Sequence, residues 1–153
     1  MKGKSFAKRF ALLLLVAVED IATCKVFADI YYRYKELIVW QKAMELVDWV
    51  YGAMRAFPKD ERFRLCDQLA RAAVSIPSNI AEGCGRGSRQ DYAHFLTIAR
   101  GSLFEAMTQL EIARRQCYLD DLSDAEDLSG RIRRMLNSLI AKLTRPVSAK
   151  TSN

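Results

Sequence analysis

The chain has 153 residues, 50% of them apolar and 27% charged, with a formal net charge of +6. That is enough chain for one domain with its own core, and no shift in composition marks a second. The charge excludes a uniformly basic fold: residues 1–33 carry six basic and three acidic side chains, residues 34–130 twelve and fifteen, and residues 131–153 six and none. Attraction to phosphate is therefore expected at the chain ends rather than over the whole surface.

Lys2, Lys4, Lys8 and Arg9 precede the apolar run FALLLLVAV at 10–18. The order is that of a signal peptide, but Glu19 and Asp20 follow where a small-residue cleavage site would be needed, and Val26-Phe27-Ala28 lies far downstream. The run is also too short to span a bilayer. Export, surface contact with a membrane, an over-long start and a genuine extension are the readings open to this segment. It is taken as an N-terminal extension over 1–33, helical or partly ordered, with a cytoplasmic location and no membrane contact expected.

Four helices are predicted downstream. In the first, over about 35–56, Leu37, Trp40, Met44, Val47, Tyr51 and Met54 recur at steps of three and four and are expected to form the core face. Phe57-Pro58 ends it. The second is expected to start near Asp60 as its cap, with Glu61 in its first turn, and to carry Leu65, Leu69, Ala72, Ala73 and Ile76. Pro77 cannot donate to the carbonyl of Ala73, so RAAVSIPSNIAEG at 71–83 is read as one bent helix, with Ser75, Ser78 and Asn79 serving the disturbed turn; two short helices are the alternative.

Ser88 and Asp91 form a capping-box-like pair before the third helix. There Leu96, Leu103 and Leu110 are seven apart, as are Ala99, Ala106 and Ala113, which predicts a close-packed leucine–alanine seam. Phe95, Ile98, Phe104 and Met107 flank that seam with more apolar surface than one bundle face absorbs, so the protein is not expected to be a monomer. The fourth helix begins within DDLSDAEDLSG and ends before Pro146, with Leu128, Ile132, Met135, Leu139 and Leu143 as its stripe and Gly130 as a bend or a close approach. The bundle domain is placed at 34–145 and a loose tail at 146–153.

No chemistry is legible. The one histidine, His94, has Asp91 a turn before it, a spacing too common to mark a triad or a metal site. Gly83, Gly85 and Gly87 lack the lysine and hydroxyl of a phosphate-binding loop. Cys24, Cys66, Cys84 and Cys117 have neither metal-ligand nor redox spacing and are read as ordinary small side chains. No catalytic residue, cofactor, metal or small-molecule substrate is expected.

YKELIVWQKAMELVDWVY, followed by FRLCDQLARAAVSIPSNIAEGCGRGSRQDYAHFLTIARGSLFEAMTQLEIARR, resembles the proteins encoded by intervening sequences in bacterial 23S ribosomal RNA genes, to which accessory proteins of diversity-generating retroelements are similar. Arg71, Ser75, Ile76, Asn79, Ile80, Ala81, Glu82 and Gly83 match the signature of the second helix. Phe95, Leu96, Ala99, Gly101, Ser102, Leu103 and Glu105 match that of the third. The resemblance implies an antiparallel four-helix bundle assembled through its sides into a homo-oligomeric ring, often a pentamer, and it carries no catalytic mechanism with it; together with the helix-favouring composition and Pro77, the expected fold is all-α, an antiparallel up-down four-helix bundle with a kinked second helix. For retroelement relatives it implies a partnership with reverse transcriptase and template RNA. Two functions are carried forward: binding of RNA or a nucleoprotein through Arg86, Arg89, Arg131, Arg133 and Arg134, and a scaffold that binds protein alone.

Overall fold

The computed structural model describes residues 33–145; the expectations for an N-terminal extension over 1–33 and for a loose tail over 146–153 lie outside the described residues, apart from Arg33. A 3-10 turn at Tyr34–Glu36 leads into α1 at Ile38–Ala53. Then come α2 at Leu65–Gly85, α3 at Arg89–Arg115 and α4 at Ser123–Thr144. Short connections make sequential helices antiparallel neighbours. The packed pairs are α1 with α2, α2 with α3, α3 with α4, and α4 with α1, which closes an up-down four-helix bundle.

The leucine–alanine seam of α3 is buried along its length: Leu96, Leu103, Leu110, Ala99, Ala106 and Ala113 all have an exposure of 1% or less. Alanine lets the helices approach closely, and each enclosed leucine contributes about 2 kcal/mol of burial free energy. Leu69, Ala73, Ile76 and Ile80 from α2 and Ile132 and Leu136 from α4 complete this part of the core.

Two sequence expectations for the first half are corrected. The core face of α1 is Val39, Ala43, Leu46, Val47 and Val50; of the expected stripe only Val47 is buried, and Tyr51 is 49% exposed. The helix carries two apolar stripes, and the compact aliphatic one fits between its neighbours, while Trp40 and Met44 stay half-buried at the rim. The second correction concerns the start of α2. Asp60 lies in a 3-10 turn at Lys59–Glu61, and it is the carboxylate of Glu61 that accepts the N–H of Leu65, at 3.3 Å.

Helix α2 runs unbroken through Pro77, one helix rather than two. The polar side chains bond within the turn around Pro77 as expected, though to carbonyls other than that of Ala73: the Ser78 hydroxyl donates to the Val74 carbonyl at 2.8 Å, and the Asn79 amide donates to the Ser75 carbonyl at 2.7 Å and to the Ser75 hydroxyl at 2.9 Å. Ser75 Oγ lies 2.9 Å from Ser102 Oγ on α3, so the interruption also links two helices. Near its end, α2 meets α3 so closely that a Cβ on Gly83 would stand 2.7 Å from Phe95 Cβ. The SIPSNIAEG stretch is thus a packing device.

Helix α3 ends in a Schellman motif, with Tyr118 N–H on the Ala113 carbonyl and Cys117 N–H on that of Arg114, both at 2.9 Å. Cys117 takes the left-handed position, φ 59°, usually given to glycine. It is exposed, whereas Cys66 and Cys84 are half-buried; burial and the Glu61 carboxylate push the Cys66 thiol up, favouring its protonated form. Cys24 lies outside the described residues. Gly130 marks no close approach, since a Cβ there would meet only the end of the Arg134 side chain at 3.4 Å.

Candidate nucleic-acid interface

The five arginines singled out in the sequence do not form one patch. Arg86 follows α2 and Arg89 opens α3, so both lie at the bundle end where α4 finishes. The other three lie on α4, where 100° of rotation per residue sets Arg131 and Arg133 about 200° apart, on opposite flanks of the buried Ile132. Asn137 shares Arg133's flank and accepts from Arg100 of α3 at 2.8 Å, so this flank borders α3; Arg134, three residues before Asn137, lies at its outer margin, and Arg131 points away from it.

Availability differs as much as position. Arg86 is paired with Glu82 and lies over the Phe95 ring, 4.8 Å from its centroid. Arg89 donates to the carbonyls of Lys142 and Leu143 at 2.7 and 3.3 Å, serving two of the orphan acceptors at the α4 C-terminus. Arg131 is paired with Asp127 at 2.7 Å. Arg133 and Arg134 are exposed and, among the described residues, have no ion-pair partner within 4 Å.

The start of α3 is not the open phosphate cradle that Arg86 and Arg89 alone would suggest. Ser88 Oγ accepts the Asp91 N–H at 3.0 Å and donates to the Asp91 carboxylate at 2.7 Å. The capping pair therefore forms as read from the sequence, and it places an anion at the helix N-terminus, where a phosphate would be repelled. His94, exposed and set edge-on to Phe95 at 5.8 Å, lines an open groove with Arg89, Thr97, Ile140, Leu143 and Thr144. No group of three or more metal-binding side chains occurs among the described residues, and no described helix is long and apolar enough to cross a membrane.

Nothing in the sequence sets Arg100 or Phe104 apart as a candidate contact. Arg100 belongs to the mildly acidic middle of the chain, and its lack of an acidic partner shows only in three dimensions. Phe104 was read as surplus apolar surface, and it is 54% exposed.

Among curated proteins, none matches the chain. The family described as 23S rRNA-intervening sequence protein does match, over residues 35–138, which takes in α1, α2, α3 and most of α4. The matched span holds the leucine–alanine seam, the Pro77 turn with its serine and asparagine donors, and the jammed Gly83. On that match the chain belongs to the 23S rRNA-intervening sequence protein family.

Proposed function

We propose that the protein is a non-enzymatic, oligomeric helical bundle that binds RNA, or a nucleoprotein, through basic surface on α4. The observation that carries this reading is the exposed pair Arg133 and Arg134, left without acidic partners while Arg86, Arg89 and Arg131 are engaged within the fold. Lys142 and Arg145 extend the charge toward the end of the helix. Such contacts recognise phosphate and carry little sequence information. A reverse transcriptase with its template RNA is one nucleoprotein of this kind, supported by the sequence resemblance and not by the family match.

Assembly is part of the proposal, with a homopentamer as its specific form. Its support is the apolar flank formed by Ile98 and Ile112, two heptads apart on α3 and 39% and 43% exposed, with Val74 of α2 at 41%. A ring would repeat each weak phosphate contact around the assembly. The same flank favours the second reading, a scaffold that binds protein alone.

A gel-shift titration over salt separates the two. The first reading expects retention of RNA at about 50 mM salt, falling steeply as salt rises because bound phosphates release counterions. Charge reversal at Arg133 and Arg134 should weaken binding and flatten that dependence while sedimentation shows an unchanged oligomer. No retention of any RNA by the wild type would favour the scaffold.

A further inference from the structure

Phe104 differs from the other phenylalanines near arginines. Phe95 is covered by Arg86 at 4.8 Å and Phe63 is approached by Arg62 at 5.7 Å, whereas no described ring or cation packs on Phe104. Its surroundings are nevertheless basic. Arg100 lies one turn before it on the same side of α3. Across the antiparallel pair, the Arg100–Asn137 hydrogen bond at 2.8 Å fixes the register, which sets Phe104 opposite Arg133. Neither arginine has an acidic partner among the described residues; Arg133 is exposed, and Arg100, half-buried, gives one of its five N–H donors to Asn137 and keeps the others for an anion.

Gly101 adds an independent observation. In the middle of a 27-residue helix, glycine costs about 1 kcal/mol relative to alanine. No close packing requires it, because a Cβ there would find nothing within 4 Å. A side chain on a helix leans over the turn that precedes it, so the space left by Gly101 lies beside the Phe104 ring. An uncovered aromatic ring with clear space on its outer side and two arginines along its α4 side fits a flat, unpaired base on an anionic backbone.

We propose that Phe104 is a stacking platform for an unpaired nucleobase of single-stranded RNA, with Arg100 and Arg133 meeting the phosphates along its α4 side. This rests on the RNA-binding reading above and adds to it a preference for single strands. Duplex RNA keeps its bases stacked internally and offers none to the ring.

The test measures fluorescence anisotropy of the full chain with labelled oligoadenylate and with a hairpin duplex of equal length at about 50 mM salt. Wild type should bind the single strand more tightly. Phe104→Ala should lose roughly 5- to 150-fold on the single strand, the range for one stacked base, and little on the duplex, with the salt slope unchanged because no phosphate contact is removed. Phe104→Trp should retain the affinity, and Gly101→Leu, which fills the space beside the ring, should lower it without loss of thermal stability. Equal single-strand binding by wild type and Phe104→Ala overturns the platform while leaving RNA binding standing. A lower oligomer mass for Phe104→Ala also overturns it, assigning the ring to a contact between subunits. Failure of wild type to bind either RNA removes the parent reading and this inference together.

Discussion

Leu103 and Phe104 are neighbours in sequence on the same helix, and they answer to different constraints. Leu103 is 1% exposed in the seam between helices, while Phe104, 100° further round, is 54% exposed. The glycines repeat the contrast: Gly83 is held against Phe95 and Tyr92, and Gly101 has nothing around it. Identity alone says little about either pair. What a residue contributes is set by whether a second helix occupies the space beside it.

The largest effect expected on the inner side is that of Leu103→Ala, a loss of about 2 to 5 kcal/mol in denaturant unfolding, because a buried leucine leaves a cavity that a four-helix core collapses into only in part. Phe104→Ala should stay within about 0.5 kcal/mol of wild type if the ring faces solvent. A loss of less than about 0.5 kcal/mol for Leu103→Ala, with assembly unchanged, would erase the contrast.

Gly83→Ala comes next. The added methyl would stand 2.7 Å from Phe95 Cβ and 2.9 Å from Tyr92 Cδ2, and the nearer atom is fixed to the α3 backbone, so the helices themselves must move. Overpacking of this kind costs roughly 1 to 3 kcal/mol, and thermal denaturation should show a clear fall in Tm. An unchanged Tm would mean that α2 and α3 are not pressed together there.

The inner side was the more legible in the sequence, and the reason is geometric. A seam that repeats every seven residues, as Leu96, Leu103 and Leu110 do, leaves one orientation for α3. In helix α1 the buried face is not legible, because Val39, Leu46 and Val50 compete with Trp40, Met44 and Tyr51 at the same period, and size and fit against neighbours, which periodicity does not carry, decide between the stripes. The candidate interface was harder still. Counting arginines gives charge but not engagement, and Arg89 spends its guanidinium on carbonyls more than 50 positions away in the chain, at Lys142 and Leu143. Local pairs at i,i+4, such as Arg131 with Asp127 and Arg86 with Glu82, were readable by spacing alone.

Two substitutions at backbone positions should raise stability by smaller amounts. Cys117→Gly relieves a side chain held at φ 59° and should gain about 1 kcal/mol while keeping the Schellman bonds of Tyr118 and Cys117. Gly101→Ala should gain about 0.5 to 1 kcal/mol, since the methyl meets open space and the helix loses a flexible link. A loss at position 101, measured by urea unfolding of protein that sedimentation shows to be a single chain, would show that the outer side is not open there.

The smallest expected effect is electrostatic and belongs to the outer surface. Glu111 accepts from the Arg114 guanidinium at 2.8 and 2.9 Å and from that of Arg115 at 2.8 Å, and these bonds hold its carboxyl down at about 2, against an ordinary value of 4.5. A carboxylate whose value is lower in the folded than in the unfolded chain stabilises the fold above the unfolded value, and that contribution fades as the pH falls from about 4.5 through about 2. Water and salt screen all three side chains, so the contribution is small beside the burial of Leu103. Glu111→Gln removes the titrating group and should flatten this part of the acid unfolding profile, with stability near neutrality little changed. A Glu111 carboxyl found by NMR titration near 4.5 would show that the two arginines do not hold it in solution, and the ends of α3 would then differ from its middle less than the geometry implies.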